Sequence, residues 1–354
     1  MVAKDIKNVT IVNPSCKYSC NHCGYPSYSK VNSENIKNFI KILQDSGKTV
    51  KLYDMDITTD SLDLFQLTGQ YDNPKGFGWM NVTESFNPTD EQLSQLEKMT
   101  VGFCLSLHGS TPEINSILTG STKRHEQILK KYNQLRNLLP DKPIGLAMVI
   151  HSENIHNIQD MAQIGKDMNV SFLEFINILY AGSAPHKLGK EHFLSKNDLK
   201  NALMEIKKAS EYSFFEILLD STWGPTDHIL APPTIIPEAN YRNCSMFAPA
   251  LQDKFCNAGY NHVVIRADNL SIFPCPGMSF YEELKIGELI ENKIKIDNEW
   301  HKQVISSEPC NPCEDYENCK GGCRISAITE GIRKFGQIKK DIGQYNCAKY
   351  VTRK

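Results

Sequence analysis

Three cysteines near the start of the chain have the side chains and the spacing needed to bind an iron–sulfur cluster. Cys16, Cys20 and Cys23 lie in the stretch CKYSCNHC, directly after a short β-rich run at residues 8–13. Thiolates are the ligands that a [4Fe–4S] cube requires, and three of them leave one of its irons open to a small molecule. The alternative is a zinc site completed by His22. We disfavour it because the adjacent His22 and Cys23 can hardly bind the same tetrahedral ion.

A second group of cysteines lies in the last third of the chain. It contains a Cx2Cx5Cx3C run with further cysteines on both sides, namely Cys256, Cys275, Cys310, Cys313, Cys319, Cys323 and Cys347. Twelve cysteines are many for a chain without a secretion signal, so cluster or metal ligation is favoured over disulfides. A zinc ribbon over residues 310–323 is the alternative for that run taken alone. Outside both groups lie Cys244 and Cys104, and Cys104 is interpreted as a small buried hydrophobic residue.

The composition excludes several classes of function. The 354 residues include 39 Lys and Arg against 41 Asp and Glu, so no net charge favours binding to nucleic acid or to an anionic membrane. The first residues, MVAKDIKN, lack the apolar segment of a secretion signal, and no stretch approaches the roughly 18 apolar residues of a membrane span. We therefore expect a soluble, cytoplasmic protein with neither a nucleic-acid nor a membrane partner.

Strands and helices are predicted to alternate along the first two thirds of the chain. Six β-rich runs stand at residues 8–13, 50–53, 78–82, 101–107, 144–150 and 170–178, each followed by a helical pattern. This alternation predicts a parallel sheet with right-handed crossovers, in which ligands bind at the carboxyl ends of the strands, where the 16–23 loop would lie. A further strand is predicted near residues 214–220. The proline-rich stretch at 223–240 reads as a linker or a lid, so we place a domain boundary near residue 235.

The CxxxCxxC loop after an N-terminal strand resembles that of the radical S-adenosylmethionine (SAM) enzymes. In that family the open iron chelates the amino and carboxylate groups of SAM. An electron from the cube then cleaves SAM to a 5′-deoxyadenosyl radical, which abstracts a substrate hydrogen. The resemblance implies a partial (β/α)6 TIM-like barrel over residues 1–235. It also implies that His22, at a position that is usually aromatic, packs near the adenine of SAM.

The C-terminal cysteine run and its flanking cysteines resemble the SPASM extension of radical SAM enzymes, which implies a small α+β cysteine-rich domain over residues 236–354. This extension holds two auxiliary [4Fe–4S] clusters, so three clusters are expected in all. One auxiliary cluster would be held by Cys310, Cys313, Cys319 and Cys347, and the other by Cys256, Cys275 and Cys323. For the fourth ligand of the latter, Cys244 and an open iron are the alternatives. Residues 263–266 and 271–273 are predicted to form the hairpin that carries Cys275, with Leu270 where the family has glycine and Asn269 beside it able to adopt a positive φ.

Further residues match positions that contact SAM in this family. They are Asp56 or Asp54 for the amino group, Asn81 for the ribose region, Ser106 beside SAM, and Gly182 at the carboxylate end. His108 stands where the family's Ser-Leu-Asp-Gly motif has its acid, and we assign it to cofactor or substrate binding, with a histidine that merely ends the strand as the alternative. Glu174, on the sixth strand, faces either the barrel interior or a helix. The candidates for a general base are Asp54, Asp220 and Tyr25.

The resemblance implies an enzyme that abstracts a hydrogen from a peptide or protein substrate for oxidation, crosslinking or epimerisation, while auxiliary clusters handle electrons. Members of this kind include anaerobic sulfatase-maturating enzymes and maturases of ribosomally made peptides. An electron donor such as flavodoxin or ferredoxin would be a partner. Because only fifteen residues precede Cys16, we also expect a separate leader-recognition protein or a leaderless substrate.

Two alternative functions stay open at this point. One is a radical SAM oxidoreductase that acts on a small molecule, such as a sugar, a nucleoside, an amino acid or a tetrapyrrole. The other is a non-enzymatic electron carrier or a zinc-bearing scaffold, although a carrier has no use for an open iron within a six-unit barrel.

Overall fold

The structure is a computed structural model of the 354-residue chain. It describes residues 6–13, 16, 18–24, 33–54, 59–68, 77–219, 223, 262–291, 293–298, 300, 310, 313, 314, 316, 322–343, 345 and 347. Of the helices in these ranges, none has the length and apolar character needed to cross a membrane.

The secondary structure alternates between strands and helices, as the sequence predicts. The strands in the described ranges are β1 (Asn8–Asn13), β2 (Thr49–Asp54), β3 (Phe77–Val82), β4 (Thr100–Ser106), β5 (Ile144–Ile150), β6 (Phe172–Asn177), β7 (Glu216–Leu219), β8 (His262–Arg266), β9 (Ser271–Phe273), β10 (Gly287–Ile290) and β11 (Lys293–Ile296). The helices are α1 (Ser33–Asp45), α2 (Thr59–Leu67), α3 (Asp90–Met99), α4 (Pro112–Thr119), α5 (Lys123–Leu138), α6 (Ile158–Asp167), α7 (Ala184–Lys187), α8 (Lys196–Tyr212) and α9 (Arg324–Phe335).

The first seven strands run parallel within two sheets. β1 pairs with β2 in one sheet, and β3 to β7 pair in sequence order in the other. Parallel neighbours need a crossover connection, and the helices between them supply it. The predicted β-rich runs agree with β1 to β7 to within two residues at either end. The prediction of a mixed α/β fold is thereby confirmed.

The C-terminal part adds strands to the first sheet. β8 lies parallel to β1, and β9, β10 and β11 follow by antiparallel pairing, so the sheet order is β11-β10-β9-β8-β1-β2. The predicted hairpin is therefore present as β8 and β9. Its turn differs in one respect: Leu270 itself takes the left-handed conformation, at φ 60°. The side chain of Asn269 accepts a hydrogen bond from the Ser271 N–H at 3.0 Å and stabilises the turn.

The two faces of the second sheet have different neighbours, because successive side chains of a strand point to opposite faces. Residues such as Phe103, Leu146 and Phe175 belong to the main core, which includes the helices. A separate cluster forms on the other face, which we call the inner face. It consists of Cys104, Ala147, Phe172 and Leu218, with Ile176 packed against it. Cys104 is 1% exposed there, which agrees with its interpretation as a buried hydrophobic residue.

Candidate active site

The loop that carries Cys16, Cys20 and Cys23 begins where β1 ends. All three thiols are half-buried, and Cys23 packs against Val12 of β1 and Val264 of β8. Because β2 and β8 run parallel to β1 on either side, the loop lies at the carboxyl ends of three adjacent strands. Ligands bind at this edge in folds with parallel strands. The loop therefore lies where the sequence indicated.

The helix α4 holds the middle of this loop. The backbone N–H of Asn21 donates to the carbonyl of Leu118 at 2.7 Å, and the Asn21 side-chain amide donates to the carbonyl of Ile117 at 2.8 Å. His22 Nδ1 lies 3.0 Å from the same Leu118 carbonyl, so this nitrogen donates and carries the ring proton. The last carbonyls of a helix have no partner within the helix, and here the loop supplies one.

The sequence-based prediction missed α4, although the residues that favour the start and the end of a helix are present. The Thr111 side chain accepts a hydrogen bond from the Ile114 N–H at 3.4 Å and caps the first turn. Pro112 opens the helix, and Gly120 ends it in the left-handed conformation at φ 75°. A Thr-Pro start and a Gly end eight residues later are typical of a short helix.

Arg124, in the first turn of α5, contacts both Cys20 and Tyr18 of the loop. Its Nη1 donates to Cys20 Sγ at 2.9 Å, and its guanidinium carbon lies 4.1 Å from the centroid of the Tyr18 ring. Its Nε and Nη2 donate to the two carboxylate oxygens of Glu84 at 2.5 and 3.2 Å. Burial lowers the pKa of Arg124, but the hydrogen bond to Glu84 and the charge of Cys20 outweigh it, so the pKa is raised. Neither Arg124 nor Glu84 belongs to a motif that could have revealed it.

The turn after β6 holds the end of the loop. The Ser183 N–H donates to the Cys23 carbonyl at 2.8 Å. Gly182 adopts φ 58°, and a Cβ at this position would overlap the carbonyl groups of Cys23 and Gly24. Lys187 of α7 donates to the Ser19 hydroxyl at 2.7 Å and to the Ser19 carbonyl at 3.1 Å. Gly182 thus lies against the cysteine loop.

His22 and His108 contact each other beside the loop. Their ring centroids are 4.6 Å apart, with the rings edge to face. The backbone N–H of His108 donates to Asn115 Oδ1 of α4 at 2.9 Å. The ring Nδ1 of His108 accepts from the Val149 backbone N–H at 3.2 Å. Burial lowers the pKa of His22 to about 4 and that of His108 well below its usual range. Both rings are therefore neutral near neutral pH, with the proton on Nδ1 in His22 and on Nε2 in His108.

Asn154 ties together the ends of β4 and β5. Its Nδ2 donates to the carbonyls of His108 and Val149 at 2.9 and 2.8 Å, and its Oδ1 accepts from the His151 N–H at 2.8 Å. Asn154 and His151 are fully buried. Neither ring nitrogen of His151 has a hydrogen-bond partner in the described part of the chain, and burial lowers its pKa to about 3. The sequence offered no signal for either residue beyond their position after a strand.

Asn81 and Ser106 lie on the inner face of the second sheet. Asn81 pairs with Cys104 across β3 and β4, and Ser106 pairs with Ala147 across β4 and β5. Directly paired side chains project from the same face. Glu174 pairs with Ala147 as well, and its charge adds to burial in raising the pKa of Cys104. The Glu174 side chain therefore lies on the inner face of the sheet and not on the face that packs against the helices.

The segment after Cys275 reaches the cysteine loop from the C-terminal part. A Cβ at Gly24 would overlap the ring of Phe280, so the loop and this segment are in close contact. The hydroxyl of Tyr281 donates to the carbonyl of Tyr180, in the turn after β6. The C-terminal part thus packs on two elements that border the candidate site.

Other predicted site residues are placed only in part. Outside the described residues lie Tyr25, Asp56, Asp220, Cys244, Cys256 and Cys319. The backbone of Asp54 ends β2 opposite Asn13 of β1, and its side chain is not described.

Five of the C-terminal cysteines are described, namely Cys275, Cys310, Cys313, Cys323 and Cys347. Cys310 and Cys323 are buried and the others half-buried. Cys313 and Cys310 share a turn, in which the Cys313 N–H donates to the Cys310 carbonyl at 3.0 Å. Within the described ranges, no group of three or more His, Cys, Asp or Glu side chains is placed to hold a metal ion.

No family model matches the sequence. PqqA peptide cyclase of Bradyrhizobium diazoefficiens is 21% identical over 330 residues, which cover 88% of this chain and 80% of that protein. The structure of Streptococcus suis SuiB bound to its precursor peptide SuiA matches 96% of this chain and 75% of its own, with a TM-score of 0.62 and 13% identity. The structure of anSMEcpe with bound AdoMet matches 97% of this chain and 95% of its own, with a TM-score of 0.62 and 16% identity.

These proteins are radical SAM enzymes that modify peptides. The resemblance to radical SAM enzymes that the CxxxCxxC loop predicts is therefore confirmed by one relative and by the fold of two solved structures. At these levels of identity, the structural matches establish the shared fold.

Proposed function

We propose that this chain is a radical SAM enzyme that acts on a peptide or protein substrate. The observation that supports it most is the 16–23 loop, whose three thiols stand at the carboxyl ends of parallel strands and whose backbone is held by α4 and by the turn after β6. The guanidinium of Arg124 donates a hydrogen bond to Cys20 Sγ, and hydrogen bonds to the ligand sulfurs are a feature of iron–sulfur sites. The similarity to PqqA peptide cyclase and to SuiB with its precursor peptide supports the substrate class.

In this proposal Cys16, Cys20 and Cys23 hold the [4Fe–4S] cluster that binds SAM. When bound, the cluster would supply the chemistry of reductive SAM cleavage, by which a hydrogen can be taken from an unactivated carbon. The protein's own residues would bind and orient SAM and the substrate, and they would exclude water from the site. Neutral His22 has an unprotonated Nε2 with which to accept a hydrogen bond, and His108 packs against its ring and limits its rotation.

The remaining contacts to SAM are assigned to residues around the same edge. Asn81 and Ser106 share the inner face, and Gly182 lies against the loop. Asp56 or Asp54 is assigned to the amino group. Asp54, Asp220 and Tyr25 stay the candidates for a general base.

The C-terminal cysteines are proposed to hold two auxiliary clusters, with the ligand sets given above and Cys244 as the candidate fourth ligand of the second. The barrel is assigned to residues 1–235 and the SPASM domain to residues 236–354. The contact of Phe280 with Gly24 supports this arrangement, because it brings the region after Cys275 next to the SAM site. The auxiliary clusters would take up the second electron of a substrate oxidation, and an electron donor such as flavodoxin or ferredoxin would supply the electron used to cleave SAM.

The first test is iron content and reductive SAM cleavage after anaerobic reconstitution. We expect about twelve irons per chain for three cubes, and about eight in a Cys16, Cys20, Cys23→Ala variant that no longer forms 5′-deoxyadenosine. Cys104→Ala is the matched control, because Cys104 is a cysteine of the inner face outside both groups. It should keep both iron and activity. Iron near four, or unchanged 5′-deoxyadenosine in the triple variant, would contradict the proposal.

The second test separates peptide from small-molecule substrates. A mixed peptide digest is expected to raise 5′-deoxyadenosine formation above the substrate-free rate, because the active-site edge would bind a peptide. A mixture of sugars, nucleosides and amino acids serves as the comparison. Stimulation by that mixture alone would favour the small-molecule alternative. If a separate leader-recognition protein is needed, stimulation should require a cell extract from which small molecules have been removed.

A further inference from the structure

Arg124 and Glu84 form an ion pair in an unusual position, nearly buried against the cysteine loop. Their side chains are 11% and 6% exposed. Removing two charges from water carries a solvation penalty that their mutual attraction often fails to recover, so such a pair is weak evidence for a purely stabilising role. Glu84 follows β3 and Arg124 opens α5, and Arg124 also donates to Cys20 Sγ.

The geometry of the pair directs one donor at the cysteine sulfur. A guanidinium is planar and presents its N–H groups in a fixed fork. Glu84 occupies the edge formed by Nε and Nη2, which leaves Nη1 to donate to Cys20 Sγ at 2.9 Å. The stacking of the guanidinium on Tyr18 at 4.1 Å fixes the plane of the fork. The sulfur therefore receives a hydrogen bond whose direction is set by two other contacts.

We propose that Arg124, oriented by Glu84, is a positioning residue that raises the reduction potential of the cluster held by Cys20. This inference rests on the proposed function. Hydrogen bonds to the ligand sulfurs and the local net charge are among the factors that set the potential of an iron–sulfur cluster. Reduction by one electron from the donor protein adds one negative charge, part of which lies on the sulfurs. A charged N–H donor stabilises the reduced state more than the oxidised state, and so makes reduction easier.

The two members of the pair should act in opposite directions. Arg124→Gln removes the positive charge and the charged hydrogen bond, so the cluster becomes harder to reduce and its midpoint potential falls. Glu84→Gln keeps the guanidinium beside the sulfur but removes its counter-charge, so the midpoint potential rises. If the pair only joined the two segments, both substitutions would loosen the same contact and shift the potential in the same direction.

The experiment is a potentiometric titration followed by electron paramagnetic resonance on the reconstituted full-length protein, with dithionite as reductant. The signal to follow is the part that is absent from the Cys16, Cys20, Cys23→Ala variant. Lys123→Gln is the matched control, because Lys123 is an exposed neighbour on α5 and its loss changes the charge by the same amount. It should leave the midpoint potential unchanged.

A lower midpoint for Arg124→Gln together with a higher one for Glu84→Gln supports the proposal. Shifts of the same sign, or shifts no larger than that of Lys123→Gln, overturn it while leaving the cluster and the proposed function intact. If Arg124→Gln fails to retain the cluster, Glu84→Gln decides alone: a rise supports the proposal, and an unchanged or lower midpoint overturns it. A wild type without this signal would overturn both the inference and the proposed function.

Discussion

Replacing Gly182 by Ala tests whether the turn after β6 holds the cysteine loop in place. Gly182 has φ 58°, a conformation that side chains rarely adopt, and an added Cβ would overlap the carbonyl groups of Cys23 and Gly24. Because these are backbone atoms, no side-chain rotation can relieve the overlap. The neighbouring Ser183 N–H donates to the Cys23 carbonyl at 2.8 Å, so moving the turn away also breaks this hydrogen bond.

The expected size of the effect follows from these two contributions. A non-glycine residue in the left-handed conformation costs about 1–2 kcal/mol. The lost hydrogen bond adds about 1 kcal/mol. Together they weaken the docking of the turn on the loop by about 2–3 kcal/mol, which corresponds to roughly 30- to 140-fold at tenfold per 1.4 kcal/mol. Because the added Cβ overlaps the cysteine loop, the weakened docking should be seen as weaker iron binding by the loop that contains Cys23.

The assay is the rate at which the reconstituted protein loses iron to a chelator. Gly47→Ala is the control: Gly47 follows α1 at φ 76°, and nothing lies within 4 Å of an added Cβ. This variant suffers the same backbone strain without an overlap, so it should lower the melting temperature but release iron like the wild type. Gly182→Ala should release iron tens of times faster. Equal release rates in the two variants would refute the reasoning, because Gly182→Ala would then disturb the cysteine loop no more than the same backbone strain at a distant turn does.

Two further predictions concern buried polar residues. Burial, and to a lesser extent the charge of Lys51, lowers the pKa of His262 to about 3, whereas an unfolded chain binds the proton near pH 6.5. Stability should therefore be complete above about pH 6.5 and fall towards pH 3, by about 1.4 kcal/mol per pH unit for this histidine. His262→Gln should reduce the proton uptake on denaturant-induced unfolding between pH 6 and pH 4 by about one, and an unchanged uptake would contradict the neutral buried ring. Asn154→Ala removes three hydrogen bonds at the ends of β4 and β5 and should cost about 3 kcal/mol or more in thermal unfolding. Asn157→Ala, which loses one bond of 3.4 Å to Asp160, is the control and should cost less than half as much.

Local patterns predicted the strands well because they depend on neighbours in the sequence. β5 is buried along its whole length, IGLAMVI, and such an apolar run bounded by turn residues is typical of a strand in a parallel sheet. The hairpin of β8 and β9 was predicted from its turn. The pairing of β8 with β1 was not, because parallel pairing between strands some 250 residues apart leaves no trace in either strand.

The partners of the cysteine loop were the part that the sequence did not reveal. They come from five separate segments: Glu84 after β3, Leu118 in α4, Arg124 in α5, Ser183 after β6, and Phe280 in the C-terminal part. Glu84 acts through its ion pair with Arg124. A motif gives the ligands of a cofactor because their spacing is local. The residues that support those ligands reach them through the order of strands in the sheets, so they become visible only when the chain is folded.

The two departures from the radical SAM pattern at His22 and His108 turn out to be one feature. In the sequence they look independent, since His22 replaces an aromatic residue and His108 replaces an acid. In the structure the two rings meet edge to face at 4.6 Å. Burial keeps both rings neutral, and each nitrogen role is fixed by a backbone group, Leu118 for one and Val149 for the other. The two rings therefore form one buried contact between neutral side chains, which neither position in the sequence indicates by itself.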